Sequence, residues 1–214
     1  MKPHDLFGVR KLVVVLGDVV SSRSITNRVA FNEKLKETSH EVNISYQNIY
    51  ADFKMLKGLD EFGCVVTTIT DSYNLISTIF EHLYPNFARL ALVYDYIDTG
   101  LDTRDVSMMD GPAFHKASNM LLSLKRSKLL FDMAVQDEVL DSAIAGVINL
   151  ILLTKKNWST RQFQIAKEYK KGKPQSKIAE EFGISQQAVS KALSRSMWGE
   201  TSECLYCIGV NFCS

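Results

Sequence analysis

Residues 175–193 admit few folds. Ile178, Phe182, Val189 and Leu193 are apolar at helical spacing on either side of Gly183-Ile184-Ser185. Two short helices that cross steeply need a small residue where they touch, and Ala179 supplies it. The tight turn between them needs a residue that tolerates positive φ, and Gly183 supplies that. Ile184 then plugs the turn into the core, and Ser185 is an N-cap for the second helix. Gln186, Gln187, Ser190, Lys191, Ser194 and Arg195 are left on the outer face, with Ser185 at its start. Side chains of these types read base edges and phosphates in the major groove, so the pattern predicts a helix-turn-helix on double-stranded DNA. A helical pair used only for oligomerisation is the alternative.

An earlier helix starts at Trp158-Ser159-Thr160-Arg161-Gln162, with Phe163, Ile165, Ala166 and Tyr169 as its inner face, and breaks at Lys171-Gly172-Lys173-Pro174. Trp158 belongs to its core. The local charge agrees with a nucleic-acid partner. Residues 155–195 hold ten Lys/Arg against three acids, a net of +7, while residues 1–154 sum to −4 and the whole chain to +1.

The first 135 residues read differently. A β-branched run over 11–20 is a buried strand. Ser24 and Thr26 precede a helix through Val29, Phe31 and Leu35 to about Glu41. Residues 49–57 and 62–69 form a hairpin around Gly58, and Thr70-Asp71-Ser72 cap a helix that stops at Pro85. Residues 87–97 are a further strand. The succession β-α-β-β-α-β is the ferredoxin-like unit, so the fold class is α+β: a ferredoxin-like domain, then an all-α helix-turn-helix domain. Gly111-Pro112 opens another helix to about Arg126, and a last strand lies in 129–135. A long helix over 136–155, with Val139, Leu140, Ala143, Ile144, Val147, Leu150 and Ile151 on one face, connects the domains. The expected division is 1–135, 136–155 and 156–214.

No secretory leader is expected: Lys2-Pro3-His4-Asp5 is polar and the run 12–16 ends at Gly17-Asp18. The stretch 143–153 is about half the length of a membrane span and contains Asn149. The expected location is the cytoplasm, with no membrane partner. Cys64 and the cluster Cys204, Cys207 and Cys213 are then free thiols, the cluster lying in an apolar tail. Three cysteines without a fourth ligand nearby fall short of a zinc site. Asp95, Asp98, Asp102 and Asp105 lack the spacing of a calcium loop and read as a solvated turn.

Two resemblances add to this. The segment 158–193 resembles the helix-turn-helix of sigma-factor region 4 and related small regulators. Further upstream, Leu16-Gly17-Asp18-Val19-Val20-Ser21-Ser22-Arg23, the hairpin around Gly58-Leu59-Asp60-Glu61-Phe62-Gly63, and Met109-Asp110-Gly111-Pro112-Ala113 resemble, in that order, three motifs of the SatD family. Those motifs are in turn similar to the palm of class III nucleotide cyclases and GGDEF diguanylate cyclases. That resemblance implies a metal site of Asp18 and Asp60 for Mg²⁺ or Mn²⁺, and a nucleotide phosphate held by Ser21, Ser22 and Arg23 in the loop 19–24. The sequence departs from the palm pattern at Leu59, at Ser118 and in the strand with Tyr94 and Tyr96. Whether Leu59 and Tyr96 fill the cleft beside Asp18 and Asp60 separates two readings. The first is a cytoplasmic DNA-binding transcriptional regulator with a sensory or structural palm and no catalytic residues. The second is a metal-dependent nucleotide-binding or cyclase-type enzyme with a DNA-binding tail. Because one helix-turn-helix offers few base contacts, a homodimer is expected, through the long helix or the cysteine-rich tail.

Overall fold

The computed structural model of the chain describes residues 9–70 and 72–203. Asp71, Cys204, Cys207 and Cys213 therefore lie outside the described residues. Strand β1, Arg10–Val19, is buried from Leu12 to its end, as a strand covered on both faces must be. Its even and odd positions feed two separate cores. Val13, Val15 and Val19 face helix α1 (Arg28–Ser45) and helix α2 (Ser72–Leu83). Leu12, Val14 and Leu16 face helix α3 (Pro112–Arg126). Gly17 stands among them without a side chain because a Cβ there would lie 2.2 Å from the ring of Phe62.

The expected succession is present: β1, α1, β2 (Ile49–Lys57), β3 (Glu61–Val66), α2, β4 (Ala88–Ile97). The sheet order is β2-β3-β1-β4-β5. Strand β1 is antiparallel to β3 and β4, and β5 (Phe131–Ala134) joins β4 in parallel after the α3 crossover. Helix α1 runs to Ser45, past the expected end at Glu41, and buries Phe31, Leu35, Thr38 and Val42 while Val29 stays exposed.

Both sheet edges are met by helix side chains. On β2, the Phe53 amide donates to Asn43 Oδ1 (2.7 Å), and the Phe53 carbonyl accepts from Ser39 Oγ (2.8 Å) and Asn43 Nδ2 (3.3 Å). On the other edge the clamp comes from α4 (Glu138–Lys156). Asn149 Oδ1 accepts from the amides of Leu130 (2.8 Å) and Phe131 (3.0 Å), and its Nδ2 donates to the Phe131 carbonyl (2.7 Å). Asp141 Oδ2 takes the Val135 amide at 2.7 Å.

These bonds set which face of α4 turns inward. Ala145, Ile148 and Leu152 join the core of α1 and α2. The polar pair Asp141 and Asn149 turns inward to serve β5, which rotates Val139 (79% exposed), Leu140 and Leu150 (69%) out to solvent. Of the face expected from apolar periodicity, Ile144 and Ile151 turn inward while Val139, Leu140, Ala143, Val147 and Leu150 do not, because periodicity gave no weight to two polar residues with strand amides to satisfy. No helix among the described residues is long and apolar enough to cross a membrane.

The remaining chain is α5 (Thr160–Lys170), α6 (Gln175–Phe182) and α7 (Gln186–Arg195), around a core of Trp158, Ile165, Ile178, Val189 and Leu193. Asn149→Leu removes the partners of two buried amides and a carbonyl at constant bulk. It should cost about 3 kcal/mol or more in denaturant unfolding, since each orphaned group costs roughly 1–3 kcal/mol. A loss under about 1 kcal/mol would show that the clamp is dispensable.

Candidate functional site

Asp18 stands opposite Glu61 on β3 and Arg89 on β4, so three charged residues lie in one rung on the α3 face. Asp18 is buried. Its Oδ2 accepts from Arg89 Nη1 at 2.7 Å, and Lys125 Nζ of α3 reaches its Oδ1 at 2.9 Å and Glu61 at 3.8 Å. The hairpin turn packs where topology requires, with the Val19 amide donating to the Asp60 carbonyl at 2.8 Å. The backbones of residues 18 and 60 are therefore neighbours. Both oxygens of Asp18, however, already hold cations, and among the described residues no group of three or more His, Cys, Asp or Glu is arranged to hold a metal ion. A divalent ion would have to displace Arg89 and Lys125, so the donor set as arranged does not fit Mg²⁺ or Mn²⁺.

The two crowding residues lie elsewhere. Tyr96 pairs with Lys11 at the far end of β1, and Lys11 Nζ sits 4.8 Å from the centre of its ring. Leu59 packs against the α1 side of the sheet. The hollow beside Lys125 is small, about 160 Å³, and is walled by Leu56, Glu61, Phe62 and Ser118 among others.

A larger cleft, about 440 Å³, opens on the other face where β1 passes into α1. Ser21, in the left-handed region at φ 54°, turns the chain there, and its carbonyl accepts from Ser24 Oγ at 2.8 Å. Ser21 and Ser24 line the cleft with Phe31, Lys34, Phe87 and Lys156, whereas Ser22 and Arg23 stand outside its lining. Lys34 Nζ donates to the Tyr84 carbonyl at 2.8 Å.

Tyr84 is also the seat of the C-terminal helices. Its ring stacks on Phe163 of α5 with centroids 3.9 Å apart, and its hydroxyl donates to the Trp158 carbonyl at 2.7 Å. Glu81 of α2 pairs with Lys170 at 2.6 Å. Burial lowers the pKa of Lys155 beside them.

Within the three-helix unit the turn is built as its residues require. Gly183 closes α6 at φ 60°, the Ile184 amide donates to the Ala179 carbonyl at 3.0 Å, and Ser185 Oγ accepts from the Ala188 amide. Ser159 and Gln162 form a reciprocal capping box at the start of α5. Trp158 is buried and donates to the Ser196 carbonyl. Ser185, Gln186, Gln187, Ser190, Lys191, Ser194 and Arg195 are all exposed along one side of α7.

The charge is unevenly compensated. Lys171 pairs with Glu168, Lys173 with Glu168 and Glu181, and Lys177 with Glu180. Lys171 and Lys173 hold the Glu168 carboxyl down at about 2. Lys191 and Arg195 make no ion pair among the described residues.

Asp18→Asn strands two cations on one side of the sheet. Breaking a buried pair costs about 3–5 kcal/mol, and the partial exposure of Arg89 and Lys125 brings the expected loss in urea unfolding to about 2 kcal/mol. An unchanged midpoint would show that the carboxylate has no structural work there.

Two solved structures of a bacterial light-regulated adenylyl cyclase share a partial likeness, with TM-scores of 0.41 and 0.42 and identities of 14% and 12%. The match covers 58% of this chain and 43% of theirs, so this chain spans under half of their length. No curated protein matches. The SatD family matches residues 12–198, through the sheet domain and all three C-terminal helices. The chain belongs to the SatD family.

Proposed function

We propose that the protein is a DNA-binding transcriptional regulator whose α6 and α7 form a helix-turn-helix, with α7 as the recognition helix. The observation that carries this reading is the contrast in charge. The lysines from 170 to 177 are neutralised by acids around them, while Lys191 and Arg195 of α7 are exposed and uncompensated beside Gln186, Gln187 and Ser190. Unpaired cations flanking amide and hydroxyl side chains on one helix face suit phosphates at the rim of the major groove and base edges within it. The buried ion pairs of Asp18 support a structural role for the palm over metal-dependent catalysis. The exposed Val139, Ala143 and Leu150 of α4 offer a surface for the expected homodimer.

With duplex DNA, Lys191→Ala combined with Arg195→Ala should weaken binding of all sequences. Each lost phosphate contact should also remove about one unit from the slope of log affinity on log salt. Gln187→Ala should instead relax sequence choice, because a good base contact carries roughly 1–3 kcal/mol of discrimination. An unchanged slope in the folded double variant rules out the docking of α7. Light scattering should give twice the chain mass of 24.1 kDa for the wild type and the single mass for Leu150→Asp.

A further inference from the structure

The cleft at the start of α1 lies on the opposite face from Asp18 and shares no residue with that charge row. Its lining includes two ammonium groups, Lys34 and Lys156, and no Asp or Glu. Ser21, Ser24 and Thr26 add hydroxyls, and Phe31 and Phe87 give it an apolar wall. Lys34 spends one of its three donors on the Tyr84 carbonyl and keeps the others. Burial lowers its pKa, and the nearby Lys167 adds to that against the opposing pull of Glu37. Positive charge is thus concentrated in a half-enclosed space whose lining offers no carboxylate to answer it.

We propose that this cleft binds a small anion, a phosphate or carboxylate joined to a ring-sized apolar group, and that its occupancy is transmitted to the three-helix unit through Lys34 and Tyr84. The anionic end meets Lys34, Lys156 and the serine hydroxyls, and the ring lies against Phe31 and Phe87. Transmission follows from shared parts. The Tyr84 carbonyl that holds Lys34 belongs to the residue whose ring and hydroxyl seat Phe163 and Trp158. Pro85, Asn86 and Phe87, directly after it, form one wall of the cleft, and Lys156 ends α4 two residues before Trp158. A ligand that draws the Lys34 ammonium toward itself weakens its bond to Tyr84 and changes the seat of α5. The regulatory meaning of that change rests on the DNA-binding reading; ligand binding itself does not.

The probes are phenyl phosphate, benzoate and inorganic phosphate, titrated calorimetrically into the full chain. At least one ring-bearing anion should bind at millimolar concentration, more tightly than inorganic phosphate, and comparison of the two names the anionic group. Lys156→Gln, an exposed position, should weaken that binding about tenfold, the worth of one charge-assisted hydrogen bond. Both tryptophans of the chain, Trp158 and Trp198, lie in the three-helix core, so their emission reads the junction. It should shift on ligand addition in the wild type and not in Lys34→Met. Absence of binding by all three probes, or equal binding by Lys156→Gln, overturns the site. Binding with unaltered emission overturns the transmission. Loss of DNA binding in a chain that still takes the ligand counts only against the regulator reading.

Discussion

Beyond α4 the chain meets the sheet domain at the end of α2, and Tyr84 carries that contact. Its ring, hydroxyl and carbonyl each serve a different neighbour: Phe163, Trp158 and Lys34. An aromatic pair contributes about 0.5–1.5 kcal/mol beyond its buried area, and a hydrogen bond about 1 kcal/mol more. The Glu81–Lys170 pair, half in solvent, adds little. Phe163 of α5 also packs against the sheet's own core, so the seat of the three-helix unit responds to changes around Tyr84.

Net charge is a poor guide to where such a unit is positive. The excess of +7 over residues 155–195 is real in the sequence, yet most lysines between α5 and α6 lie within 3 Å of a carboxylate. Lys191 and Arg195 of α7 are among the cations left without an ion pair among the described residues, with Lys155 and Lys156 at the end of α4 and Arg161 and Lys167 of α5. The compensated lysines also stitch the loop 171–174 to α5 and α6, with Lys173 bridging Glu168 and Glu181.

How much of this could be read from the sequence depended on the range of the interaction. Elements set by local pattern were legible: the β-α-β-β-α-β succession, Pro112 at the start of α3, Gly183 and Ser185 in the turn, and the buried Trp158. Features set by partners far along the chain were not. Asp18 was visible as a carboxylate at a strand end, but Arg89 and Lys125 lie 71 and 107 residues away, and no local signal links them to it. Tyr96 sat near the cleft in sequence logic and at the opposite end of the antiparallel ladder in space. The inward face of α4 was legible only in part, at Ile144 and Ile151, for a related reason: Asn149 and Asp141 look like surface residues until β5 supplies amides for them. A better signal existed there, since a lone Asn in an apolar helix asks which backbone groups it serves.

The clamps on β2 and β5 have a consequence for how the molecule coexists with other copies of itself. An open sheet ends in two rows of unpaired peptide groups, a template for any passing strand, and proteins that do not close into barrels must blunt those rows. Here the blunting is done by helix side chains, chiefly two asparagine amides. An amide suits the task because it offers a donor and an acceptor at once, matching the N–H and C=O of a single strand residue in the way another strand would. Asn43 and Asn149 thus act as one-residue mimics of a sixth and seventh strand, ending the sheet chemically while leaving it open geometrically.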